Sequence, residues 1–96
     1  SGILVIAPQA EADLTTAFAW YEGRSRGLGH EFLRCVDAKL EVIGRSPQLF
    51  RKRIGNYRLG ATARFPYAIY FIWDETNGRV VVRRVLHFAQ DTRCRG

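Results

Sequence analysis

Apolar positions along this 96-residue chain repeat first at a helical period and then at a strand period. Ile3 to Ile6 is apolar throughout and is cut off by Pro8, which predicts a strand buried on both faces. Pro8 opens a helix, where a missing N–H costs little, and Glu11 and Asp13 suit the positive end of its dipole. Leu14, Ala17, Phe18 and Tyr21 follow i, i+3, i+4, i+7 and give it one apolar face, with Gly23 near its end. Gly27-Leu28-Gly29 makes a turn. Leu28, Phe32, Val36, Leu40 and Ile43 then mark one face of a second helix, about His30 to Arg45, stopped by Gly44 and Ser46-Pro47. Two helices joined by so short a turn form an αα-hairpin.

The remainder reads as strands. Leu49 to Lys52 is a short extended stretch. Asn56 to Arg64 alternates Tyr57, Leu59 and Ala61 with Arg58, Gly60, Thr62 and Arg64. Tyr67 to Asp74 and Arg79 to His87 flank Asn77-Gly78, a strong local signal for a hairpin. Both faces of the first of these are apolar, so both are covered at least in part. In the second, strict alternation puts Val81, Arg83, Val85 and His87 on one face and Val80, Val82, Arg84 and Leu86 on the other. Arg83 and Arg84 would then point opposite ways. The order predicts an α+β fold, β-α-α-β-β-β, with the helical hairpin on one face of a small, mostly antiparallel sheet. The length allows one domain, residues 1–96. Ser1-Gly2 reads as a cloning remnant or trimmed start, and residues 92–96 as a mobile tail.

Composition adds a direction to this picture. Six Phe, four Tyr and two Trp supply one core and exclude disorder. The net charge of +6 is uneven: residues 1–50 balance to −1 and residues 51–96 to +7. That asymmetry points to an acidic partner, nucleic acid or protein, against the plainer reading of a solvated basic surface. Nine of the ten cations in the basic half are Arg, which forks onto phosphate or carboxylate. Cys35 and Cys94 make no disulfide framework; Cys35 reads as a small buried residue of the second helix. His30 and His87 are the only histidines, and no Cys/His spacing suits zinc. Gly55 and Gly60 carry no phosphate-loop pattern, so neither cofactor nor metal is expected. No apolar run approaches a membrane span or a signal core, which makes the cytoplasm the expected compartment and a membrane partner unexpected.

Certain residues, in order, carry more. Ala10 to Leu14, Trp20-Tyr21-Glu22, Gly27-Leu28-Gly29 with Phe32-Leu33, and Pro47 with Phe50 come first. Tyr57-Arg58, Phe65-Pro66-Tyr67 with Ile69-Tyr70, and Val85-Leu86-His87 with Asp91 follow. Over about residues 5 to 91 this series resembles the RelE/ParE superfamily, toxins of bacterial type II toxin–antitoxin modules. The Gly-Leu-Gly turn and the Phe-Pro-Tyr strand resemble the ParE branch.

The resemblance implies that the first strand joins the sheet beside the later ones. It also implies neutralisation by a cognate antitoxin, with an acidic C-terminal segment that folds on binding, in a higher-order complex. ParE-type toxins poison DNA gyrase; RelE-type toxins cleave messenger RNA on the ribosome. The nuclease pattern often ends in His-x-x-Arg-Asp followed closely by Tyr. Here the stretch is His87-Phe88-Ala89-Gln90-Asp91, with no Tyr after it. The resemblance therefore favours a gyrase poison with no catalytic residue, and leaves a silent toxin open. The alternative is a ribosome-dependent endoribonuclease using Arg58, Arg64, Arg83 and His87. Target contacts would come from Arg51, Lys52, Arg53, Arg58, Arg64, Arg83, His87, Asp91 and Arg93; antitoxin contacts from Trp20, Tyr21, Leu28, Phe32, Tyr70 and Arg84. A third class is a nucleic-acid-binding module without toxicity. The plainer readings are a strand-end histidine bonded to backbone or Asp91, a solvated loop at Arg51-Lys52-Arg53, and Trp20 and Tyr21 as helix core or its edge.

Overall fold

The computed structural model describes residues 3–87. The chain runs β1 (Ile3–Ile6), α1 (Pro8–Arg24), α2 (Leu28–Arg45), a 3-10 turn (Pro47–Leu49), β2 (Lys52–Ile54), β3 (Tyr57–Ala61), β4 (Tyr67–Asp74) and β5 (Arg79–His87). The strands form one sheet in the order β1-β5-β4-β3-β2. β2 to β5 pair antiparallel through short connections, while β1 lies parallel to β5. A parallel pair needs a long connection; here α1 and α2 carry the chain from β1 to β2 at the opposite edge, and β3 and β4 bring it back to β5. The result is the α+β arrangement predicted, with both helices on one face of a mostly antiparallel sheet.

The helical periodicities become the core. Ala10, Ala17 and Tyr21 of α1 and Phe32, Val36, Leu40 and Ile43 of α2 are buried against Phe65, Ile69, Phe71, Val80, Val82 and Val85. Leu14 and Leu28 are partly buried against the same cluster. Tyr21 meets Phe65 edge-on at 4.9 Å, and Phe32 meets Tyr67 at 5.0 Å. Each fully buried ring of this kind contributes roughly 1.5–3 kcal/mol through burial alone.

The turn between the helices follows from its two glycines and Glu22. Gly27 sits in left-handed backbone (φ 87°). Gly29 lies against Phe18 so closely that a Cβ there would stand 2.8 Å from the Phe18 carbonyl oxygen. The backbone N–H groups of Gly27 and Gly29, which the start of α2 leaves without helical partners, donate to the two carboxylate oxygens of Glu22 at 2.9 Å each. These bonds, Gly27 first, hold the Glu22 carboxyl below the usual carboxylate range.

Several sequence expectations are corrected. β1 is an edge strand covered on one face only: Ile3 is 66% and Val5 39% exposed, while Leu4 and Ile6 pack on the core. Residues 47–49 form a 3-10 turn, and the extended stretch begins at Lys52. Cys35 is half-buried. The β4–β5 connection spans residues 75–78 between the Asp74–Arg79 pair. Gly78 (φ 62°) takes left-handed backbone there and Asn77 does not; Asn77 instead donates its side-chain N–H to Asp74 at 2.7 Å. The faces of β5 also differ from strict alternation. Tyr70 pairs with Arg84 but Phe71 pairs with Val82, so Arg83 is an extra residue, a β-bulge. Parity shifts there, and Val80, Val82 and Val85 are buried together while Arg83 and Arg84 are both exposed.

Candidate functional site

β1 ends where α1 begins, and the consequence is a polar junction. The last bond along that edge runs from the Ala7 N–H to the Val82 carbonyl at 2.8 Å. Beyond it β5 has no neighbouring strand on that side. Asp13, on α1, takes the vacant place: its carboxylate accepts the Val85 N–H at 3.0 Å and the Arg84 Nε and Nη2 groups at 2.8 and 3.1 Å. This fork raises the Arg84 pKa above its ordinary value, mainly through the side-chain bond to Asp13.

Beside this junction lies a cleft of about 270 Å³ lined by Thr16, Ala17, Trp20, Tyr67 and His87. Trp20 is 56% exposed, stands edge-on to Tyr21 at 5.0 Å, and carries the Arg24 guanidinium over its ring at 4.8 Å. His87 meets Tyr67 edge-on at 5.1 Å. Burial pushes the Tyr67 hydroxyl pKa up, and the nearby Tyr21 and Asp13 add to it. Tyr67 therefore stays a neutral phenol at physiological pH. An exposed indole above an apolar floor, with polar tips around it, suits an apolar anchor from a polypeptide.

The residues expected to meet an antitoxin divide sharply. Trp20 is exposed in the cleft and Leu28 is half-buried at the helical turn. Tyr21, Phe32 (0% exposed) and Tyr70 (4%) are buried, and Arg84 is committed to Asp13. Phe32 packs on Tyr21, Phe65 and Tyr67, so its apolar character serves the core rather than a surface. The Tyr70 hydroxyl is buried with no hydrogen-bond partner among the described residues. Thr16, Ala17 and Tyr67 line the cleft without having been singled out as site residues. Asp13 suits the helix dipole and falls in the Ala10 to Leu14 stretch, but nothing in sequence shows that it lies opposite residue 84.

The expected target contacts also separate. Arg51, Lys52 and Arg53 are exposed on or beside β2, at the sheet edge opposite β1. Arg58 is held: its Nη1 donates to the Phe50 carbonyl at 2.6 Å and its guanidinium lies over Trp73 at 5.2 Å. Arg64 pairs with Glu31 at 2.8 Å and lies over Phe65. Arg83 is exposed at the bulge. Arg58 pairs with Phe71 on one side of β4, and His87 with Tyr67 on the other. Four residues of strand and two strand spacings therefore separate them, roughly 13 Å along and 10 Å across. Arg58 and His87 do not share a site. Gln90, Asp91, Arg93 and Cys94 lie outside the described residues. Among the described residues no cluster of His, Cys, Asp or Glu could hold a metal, and no helix is long and apolar enough to cross a membrane.

The family model of the ParE toxin of type II toxin–antitoxin systems, parDE, matches residues 4–92. No curated protein sequence gives a significant match. Solved structures share the fold at low identity. The chromosomal ParDE toxin–antitoxin system from P. aeruginosa contains a chain 13% identical, aligned over 90% of this chain and 95% of that one, with a TM-score of 0.75. The intact E. coli RelBE toxin–antitoxin complex gives 12% identity, 91% and 96% coverage and a TM-score of 0.65. The RelBE2 toxin–antitoxin complex from Mycobacterium tuberculosis gives 18% identity, 90% and 96% coverage and a TM-score of 0.54.

Proposed function

This chain belongs to the ParE toxin family of type II toxin–antitoxin systems, and from that premise we propose that it is a non-enzymatic poison of DNA gyrase, neutralised by direct contact with a cognate antitoxin. The observation that carries the gyrase reading is the dispersal of the alternative nuclease set. Cleavage by an attacking 2′-hydroxyl needs a base, an acid and positive charge converging on one phosphate. Arg58 is tied to Phe50 and Trp73, Arg64 to Glu31, and His87 lies at the far end of β4 from Arg58. Such a layout favours binding over catalysis.

For the antitoxin, the aromatic cleft is the receptor. Trp20 and the rim at His87 would take an apolar anchor, and the basic character of residues 51–96 would favour acidic residues on the same partner. A gyrase poison held by such an antitoxin would act in the cytoplasm. A supercoiling and DNA-cleavage assay with the purified chain, with and without antitoxin, tests the reading. Inhibition with trapped cleaved DNA, relieved by antitoxin, is expected. Full gyrase activity at saturating chain, together with messenger cleavage on ribosomes that Arg58→Ala or Arg83→Ala abolishes, would replace it with the ribonuclease.

A further inference from the structure

The cations of the basic half differ in what they do. Arg58, Arg64 and Arg84 are occupied by a carbonyl, a carboxylate or an aromatic ring. Arg51, Lys52 and Arg53 are consecutive and exposed, and have no acidic partner among the described residues. Arg51 directly precedes β2 and Lys52 and Arg53 lie in it, and the outer side of β2 ends the sheet. Lys52 sits directly opposite Arg58 across the β2–β3 ladder. Like charges in that position destabilise a sheet. The register then slips between Lys52 and Ile54, leaving Arg53 as an extra residue in the strand. The fold thus holds four neighbouring cations together at its own expense, with Arg58 locked in place.

We propose that this β2 edge grips the phosphate backbone of duplex DNA. The run of three exposed cations, two of them Arg, favours this partner over an acidic protein segment. The cleft with Trp20 has concavity and aromatic anchors, as a polypeptide needs. The β2 edge offers consecutive exposed charge, and the clefts at Trp20, between α1 and α2, beneath β1 and by the β4–β5 turn are lined by other residues. A polyanion needs no pocket, and forked guanidinium groups suit phosphate oxygens. The inference deepens the gyrase reading, on which it rests only for its setting: the enzyme presents DNA together with protein, and this edge would take the DNA. Contact with bare duplex is a separate property, so either idea can fail alone.

The test is binding of the whole chain to a short DNA duplex across a salt series. Each phosphate contact contributes about 0.9 to the slope of log K against log salt. The combined variant Arg51→Gln, Lys52→Gln, Arg53→Gln should lower the steepness by about 2–3 by that rule. The control Arg26→Gln, Arg34→Gln, Arg45→Gln removes equal charge from the helical layer and should leave the slope nearly intact. Equal losses in both, no loss in the first, or no duplex binding by the parent would overturn the proposal. So would displacement of the duplex by polyglutamate at matched charge, which would assign the edge to acidic protein. Thermal melting checks the fold. If the β2 variant fails to fold, Arg51→Gln with Arg53→Gln spares the Lys52–Arg58 ladder and should lower the slope by about 2; an unchanged slope there overturns the proposal as well.

Discussion

Gly29 joins the two helices because it lacks a side chain. An alanine would place its Cβ 2.8 Å from the Phe18 carbonyl oxygen, and backbone cannot swing aside as a side-chain tip can. The helices would have to part. Gly29→Ala is therefore expected to destabilise the fold by about 1–3 kcal/mol, the usual range for overpacking, read by urea denaturation; an unchanged midpoint would show that the hairpin yields freely. Glu22 acts on the same turn through charge. Its pKa is lowered in the folded state, first by the Gly27 N–H. The contribution is thus present above the unfolded carboxylate pKa and is lost as pH falls through the lower folded value. Glu22→Gln should melt earlier than the parent at neutral pH, because an amide cannot accept from both N–H groups through two oxygens. The gap should narrow as pH drops below the ordinary carboxylate range. A gap independent of pH would assign the effect to packing.

At the scale of elements, the helices were legible because a 3.6-residue period survives in the folded core: Phe32, Val36, Leu40 and Ile43 are all buried as the spacing predicted. The sheet was legible in order but not in detail. A bulge at Arg83 carries no glycine to announce it, so simple alternation misassigned half of β5. Likewise, an apolar run such as Ile3–Ile6 cannot tell a central strand from an edge. The site was less legible still, since Phe32 and Tyr70 have the side chains of a binding surface and the positions of a core. The Asp13 junction depends on residues 71 or more apart in sequence. It also gives a prediction. Asp13→Ala strips both the Arg84 fork and the partner of the Val85 N–H, and an unsatisfied half-buried donor costs about 1–3 kcal/mol. Arg84→Ala removes only an ion pair whose cation is nearly half exposed, and such pairs contribute little. Asp13→Ala should accordingly lower the unfolding free energy more than Arg84→Ala. Equal losses would mean that the ion pair, not the capped strand edge, holds α1 to β5.

Across the whole molecule, the two candidate surfaces lie on different parts of the sheet. The cleft is built from α1, β4 and β5, and the cationic edge is β2, separated from β5 by β3 and β4. Two to three strand spacings put them roughly 10–14 Å apart. One chain can then present an apolar receptor to its antitoxin and a charged edge to its target without sharing residues, which makes the two contacts separable by mutation. Trp20 decides the matter, because it is the exposed aromatic side chain of the cleft and makes its main contacts with Tyr21 and Arg24 on its own helix. Losing a buried interface tryptophan typically costs 2 kcal/mol or more, about 30-fold in affinity. Trp20→Ala should weaken antitoxin binding by roughly that factor, measured by calorimetry, while gyrase inhibition by the free chain persists. A cell carrying this variant would be poisoned in the presence of an antitoxin level that protects against the parent. If gyrase inhibition fell in step with antitoxin affinity, the cleft would be the target surface as well, and the antitoxin would act by occupying it rather than by covering the molecule from a separate site.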